Sequence, residues 1–206
     1  MEELERLGQE PSDSDLDDRM EKMNTEQKEV YNEILDSVQN DSGKLIAIDA
    51  PGGTGKTFLL NSVLEGVRRE GKIALATAYT GIAAILLPGG ATLHTKMKVP
   101  TKAEEIQNPT AYLKCTHAKS GTRKLLEAKE TSLLIIDEVT MVESNIFLMI
   151  DRTLRQRIRG TIEKPHPKPF GGLTVVVSGD WRQTLPVVPR ASRAQIVSES
   201  LKGINN

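Results

Sequence analysis

The sequence predicts an α/β domain in three layers, with helices on both sides of a mostly parallel central sheet. Three observations carry this. Four short apolar runs, at 45–48, 73–78, 133–136 and 173–177, lack polar alternation and suit strands buried on both faces. Segments of helical period separate most of them. Breaks rich in Gly and Pro, such as Pro51-Gly-Gly53 and Pro88-Gly-Gly90, punctuate the alternation.

Each element can be justified in order. Residues 1–20 hold eight acids and two arginines, with Pro11, Ser12, Asp13, Ser14 and Asp15 at their centre. So little apolar content cannot offset ordering entropy, and 1–22 are predicted to be a disordered acidic leader ahead of a domain at 23–206. Asn24 can cap a helix whose third residue is Gln27, and Val30, Ile34 and Val38 recur along it at four-residue spacing until Asn40, Asp41, Ser42 and Gly43 end it. A strand at 45–48, a helix at 57–69, a strand at 73–78 and a short helix at 82–87 follow. The stretch 99–120, with Pro100 and Pro109, reads as loop, and 123–129 as a modest helix. A strand at 133–136, a long helix at 142–158, a basic, Pro-containing loop at 161–172 and a strand at 173–177 complete the series.

Composition narrows the class. In 206 residues, 38% are hydrophobic and 27% charged, and no stretch approaches the roughly 18 uninterrupted apolar residues of a membrane span. The acidic start lacks a secretory pattern, and no targeting signal is evident. Cys115, the single cysteine, excludes an internal disulfide and a multi-cysteine zinc site. A soluble, intracellular protein is expected, with no membrane partner. The formal net charge of -1 averages an acidic leader and a remainder carrying +5. Such a mildly basic domain is compatible with a polyanion, although many proteins that bind no nucleic acid share that surplus. Aromatic residues are few, which limits any base-stacking platform.

The strongest chemical signal is Ala50-Pro-Gly-Gly-Thr-Gly-Lys-Thr57, between a predicted strand and a predicted helix. Gly52, Gly53, Thr54 and Gly55 let backbone N–H groups converge on phosphate oxygens, and the helix N-terminus adds a favourable dipole. Lys56 can reach the outer phosphates and Thr57 can offer its hydroxyl to Mg2+. Ala50 stands where such loops usually begin with glycine. A second signal, Leu133-Leu-Ile-Ile-Asp-Glu138, places two acids after a buried strand, at the sheet edge where ligands of parallel sheets bind. Asp137 suits a magnesium ligand acting through water, and Glu138 a group that orients or deprotonates attacking water. Ser178-Gly-Asp-Trp-Arg-Gln183 would bring the Gln183 amide to the same edge, where it could sense a terminal phosphate. Gln27 could read the edge of adenine or serve only as a cap. Arg152, Arg155 and Arg159 share one helix face, which reads first as solvated and secondly as a DNA contact.

Taken in order, Asn24-Thr-Glu-Gln27, 50–57, Thr77-Ala-Tyr-Thr-Gly-Ile-Ala-Ala84, Gly89-Gly-Ala-Thr-Leu-His94, Ile135-Ile-Asp-Glu138 and Gly179-Asp-Trp-Arg-Gln-Thr-Leu-Pro-Val-Val-Pro189 resemble the Pif family of superfamily-one DNA helicases, especially variants carried by Helitron transposons. The resemblance spans roughly 23–201. It implies a three-layer P-loop NTPase (RecA-like) fold and ATP hydrolysis coupled to unwinding of single-stranded or forked DNA in repair, recombination or telomere maintenance. ATP and Mg2+ would be the cofactors, and the nucleus the location in a eukaryote. By the same resemblance Gln27 would read adenine, Lys56 and Thr57 would contact phosphate and metal, Asp137 and Glu138 would be the metal-binding and catalytic acids, and Gln183 the phosphate sensor. Thr80, Gly81, Thr92 and His94 fall in segments resembling those that touch the single-stranded DNA backbone, though His94 could equally hold its own loop.

Two departures are mild: Trp181 replaces a usual phenylalanine, and Thr140 a usual serine. Helicases of this family resemble two such lobes in one chain, and a second lobe is not expected within these 206 residues. The arginines it would bring are worth roughly 10³ to 10⁵ in rate, so stronger binding than turnover is expected. The main alternative is therefore a truncated nucleotide- or DNA-binding protein without motor activity. A phosphate-loop kinase acting on a small molecule is a third reading, but it leaves 179–189 unexplained.

Overall fold

The computed structural model of the protein describes residues 13–116 and 121–182. Within them lies a five-stranded sheet of order β1-β5-β4-β2-β3, formed by β1 (Leu45–Asp49), β2 (Ile73–Ala78), β3 (Ala91–Thr92), β4 (Thr131–Asp137) and β5 (Thr174–Gly179). Every pairing is parallel. The centre of the sheet explains the unbroken apolar runs: all seven residues of β4 and all six of β5 are buried. At the edge, β1 is partly exposed.

The pleat divides the core into two faces. Leu133, Ile135, Ala74, Ala76 and Val176 pack with Ile34, Leu60 and Leu64 from α2 (Thr25–Gln39) and α3 (Lys56–Arg69). Leu134, Ile136, Leu75, Val175 and Val177 face the other way, onto Met149 and Ile150 of α8 (Ser144–Thr153). Three layers result, as the sequence predicts. A buried hydroxyl pair, Ser37 Oγ to Thr174 Oγ1 at 2.8 Å, ties α2 to β5.

Several elements differ from expectation. Residues Asp13–Lys22 form a helix, α1, where a disordered leader is predicted; residues 1–12 lie outside the described region. Leu16 is buried and Arg19 pairs with the buried Glu65 at 3.5 Å, so tertiary contact supplies what the local composition lacks. A fifth strand, β3, pairs Ala91 and Thr92 with Thr77 and Ala78. The stretch 99–120 contains α6 (Ala103–Gln107) and a 3-10 turn at Lys114–Thr116. The long helix expected at 142–158 begins at Ser144 and passes into a π segment, Leu154–Ile158. The remaining helices are α4 (Gly81–Ile85), α5 (Leu93–Met97) and α7 (Gly121–Glu127).

The three arginines of the long helix are not a solvated face. Arg152 donates to the carbonyls of Pro109 and Ala111, and Arg155 to that of His166 at 3.0 Å. Arg159 reaches the carbonyls of Leu126, Ala128 and Thr131 at 3.1, 3.3 and 2.6 Å. Their guanidinium groups donate to backbone carbonyls at element ends and in the segments that connect them.

Candidate functional site

Parallel strands place their carboxyl ends on one edge, and the sequence motifs converge there. The loop after β1 turns through Gly53 and Gly55, at φ 80° and 88°, a left-handed region open to glycine. A Cβ at Gly55 would also lie 2.7 Å from Gln27 Nε2. Thr54 Oγ1 donates to the Pro51 carbonyl at 2.7 Å. Lys56 Nζ is held by the carbonyls of Ala50 and, at 3.1 Å, Pro51. Gly55 caps α3 without a side-chain acceptor. The first-turn N–H groups of this 14-residue helix therefore depend on an acceptor from outside it.

On the next strands, β4 ends at Asp137, which is only 6% exposed. Its Oδ1 accepts from Ser178 Oγ of β5 at 2.6 Å and from the backbone N–H of Glu138 at 2.9 Å. Glu138 follows in the left-handed conformation, φ 55° and ψ 38°. Its Oε2 accepts from Thr80 Oγ1 at 2.5 Å. Ser178 escapes the sequence reading, although its place after the apolar run of β5, one strand from Asp137, was the available signal.

A cleft of about 250 Å³ brings together Gly52, Lys56, Thr57, Asp137 and Glu138, with Asp180 beside them. Ile82, Ala83 and Leu86 of the α4 region form its opposite lip. Among the described residues, Lys56 is the one cation lining it. A second cavity, of about 570 Å³, opens on the other side of the phosphate loop against Asn24, Gln27, Val30 and Ile48. Of the two roles open to it in the sequence, Gln27 shows the cap in the structure and adds a contact with the phosphate loop. Asn24 Oδ1 accepts from its N–H at 2.8 Å, its Oε1 accepts from Asn24 N–H at 3.1 Å, and its Nε2 donates to the Thr54 carbonyl at 3.2 Å. It caps α2 and braces the phosphate loop at once.

Thr80 and Gly81 follow β2, Thr92 ends β3 and His94 comes just after it, so these four lie along the same sheet edge. Gly81 is exposed, with open space where a Cβ would project. Thr92 caps α5, accepting from Thr95 N–H at 3.2 Å. The His94 ring meets the Tyr79 edge at 5.6 Å, and burial lowers its pKa from the ordinary histidine value. Holding the loop is thus a visible role for His94. Gln183 lies outside the described residues.

The family model for PIF1-like helicases matches residues 22–205. The chain belongs to the PIF1-like helicase family. The PIF1 DNA helicase of Danio rerio is 31% identical over 180 residues, covering 87% of this chain and 25% of that protein. A Bacteroides Pif1 helicase solved with ADP-AlF3 and single-stranded DNA is 32% identical with a TM-score of 0.62, covering 82% of this chain and 36% of that one. The Candida albicans Pif1 helicase is 29% identical with a TM-score of 0.64, over 87% and 36% of the two chains. This PIF1-like chain spans about a quarter of the length of curated relatives such as the Danio protein. Its fold, a three-layer P-loop NTPase (RecA-like) domain, is theirs over the matched region. No described helix is long and apolar enough to cross a membrane.

Proposed function

We propose that this chain forms a motor lobe of an ATP-dependent DNA helicase, binding Mg-ATP in the cleft between the phosphate loop and Glu138. One observation carries the reading: Lys56, Thr57, Asp137 and Glu138, from two separate motifs, line one cleft at the carboxyl edge of the sheet. Single-stranded or forked DNA would be its polymer partner, a reading supported by family membership and by Pif1 structures solved with single-stranded DNA or describing unwinding at forked DNA.

The donors suit magnesium. A buried carboxylate and a threonine hydroxyl are hard oxygen ligands, and too few protein ligands for a cage fits an ion otherwise held by phosphate and water. When bound, the ion would neutralise phosphate charge. Ser178 fixes Asp137 to receive it. Lys56, now satisfied by loop carbonyls, exchanges them for phosphate oxygens. The α3 N-terminus and the loop N–H groups hold the remaining charge. Gln27 and the adjoining 570 Å³ cavity offer room for the base. Glu138 takes the proton from water as the water oxygen bonds to the terminal phosphorus; the bridging P–O bond breaks and its electron pair leaves on ADP.

Glu138→Gln keeps the shape and removes the base. It is expected to bind Mg-ATP as tightly as the parent while losing at least about 100-fold in single-turnover hydrolysis; equal hydrolysis by the two proteins assigns the base elsewhere. One observation favours the second reading, a binding protein without motor activity. No arginine lines the cleft among the described residues, and a site without one is expected to bind nucleotide better than it turns it over. The nucleus is the expected location in a eukaryotic host, and DNA repair or recombination the expected setting.

A further inference from the structure

We propose that Thr80 is a positioning residue that restrains Glu138 until the α4 ridge is engaged by single-stranded nucleic acid. The inference rests on the reading of Glu138 as base. It begins with the 2.5 Å hydrogen bond from Thr80 Oγ1 to Glu138 Oε2. A hydroxyl donating to a carboxylate occupies a lone pair that a water proton would need and fixes the side chain in one orientation. The contact therefore opposes proton abstraction.

The backbone is held at Ala78, Tyr79 and Glu138, so movement falls on Thr80 and the α4 that it caps. Tyr79 N–H donates to the Asp137 carbonyl at 3.0 Å, Ala78 pairs with Asp137, and Glu138 N–H is held by Asp137 Oδ1. The Thr80 hydroxyl has a second duty, accepting from Ala83 N–H at 3.3 Å as the N-cap of α4. One oxygen thus joins the base to the start of α4. That element presents Ile82, Ile85 and Leu86, at 77%, 80% and 54% exposure, and Ile82 and Leu86 form a lip of the same cleft. Bases packing on this ridge would shift α4 with its cap and withdraw the hydroxyl from Glu138. The proton taken up by the freed carboxylate is that of the attacking water, as above.

Thr80→Val removes the hydroxyl at constant shape. Thr80→Gly does so while keeping a residue that caps helices nearly as well as threonine, so a lost cap and a lost restraint separate. Single-turnover hydrolysis by the full chain is read with and without oligothymidine. Both variants are expected to raise DNA-free turnover roughly tenfold, the factor of one charge-assisted hydrogen bond. The KM for ATP stays unchanged and DNA stimulation shrinks. Thr80→Ser is expected to behave as the parent. Unchanged or lowered DNA-free turnover in Thr80→Gly, with Glu138-dependent hydrolysis intact in the parent, overturns the restraint and leaves the base assignment standing. Hydrolysis by the parent that Glu138→Gln does not reduce overturns both.

Discussion

At Gly55 the backbone stands at φ 88° and an added Cβ would meet Gln27 Nε2 at 2.7 Å. Gly55→Ala therefore strains the loop and pushes away its brace. Its expected cost is about 1–2 kcal/mol of stability by denaturant unfolding, together with weakened Mg-ATP binding; unchanged values in both would show that the loop tolerates a side chain. The glycines, Lys56, Thr57, Asp137 and Glu138 were legible in sequence because each chemistry fixes residue type and spacing. The partners of Asp137 and Glu138 were not. Ser178 and Thr80 reach them across strands, 41 and 58 residues away, and pairing register sets those contacts. Gln27 shows a further limit of residue reading, since one amide both closes a capping box and braces the phosphate loop.

Among the elements, β4 and β5 were legible because strands buried on both faces need continuous apolar runs. Strand β3 was not, because two residues beside a Gly-Gly turn carry no periodicity and gain their pairing only from β2. Helix α1 likewise depends on Leu16 and Arg19 meeting the rest of the fold. The arginine face was misread for a related reason: helical spacing shows that side chains share a side, and the connecting segments decide what covers it. Arg159→Ala removes the guanidinium donor shared by three carbonyls and is expected to cost about 1–3 kcal/mol in urea unfolding. A change within about 0.5 kcal/mol would restore the solvated face.

The α5 region also carries a pH dependence. Burial disfavours the His94 imidazolium, so in the folded chain His94 titrates below the ordinary value of about 6.5. As pH falls the unfolded chain takes up this proton first. Stability from His94 is intact above about pH 6.5 and lost as pH falls through the folded value. Thermal unfolding from pH 7.5 to 5.5 is expected to show a steeper loss for the parent than for His94→Gln. Parallel curves would remove His94 from the account.

At the scale of the whole molecule, the three layers bring the ends of β1, β2, β4 and β5 to one edge, and the chemistry follows from that convergence. The net charge of -1 gives no sign of it, while the order of motifs does. Fold and family were therefore readable from residues that are far apart in the chain and neighbours at the sheet edge. The central claim is that this edge is a Mg-ATP site, and calorimetric titration of Mg-ATP into the parent chain and Lys56→Ala tests it most directly. Saturable, magnesium-dependent binding by the parent is expected, weakened at least about tenfold by the loss of one charged hydrogen-bonding partner in Lys56→Ala. Equal affinity in the two folded proteins, or no binding by the parent, would contradict it.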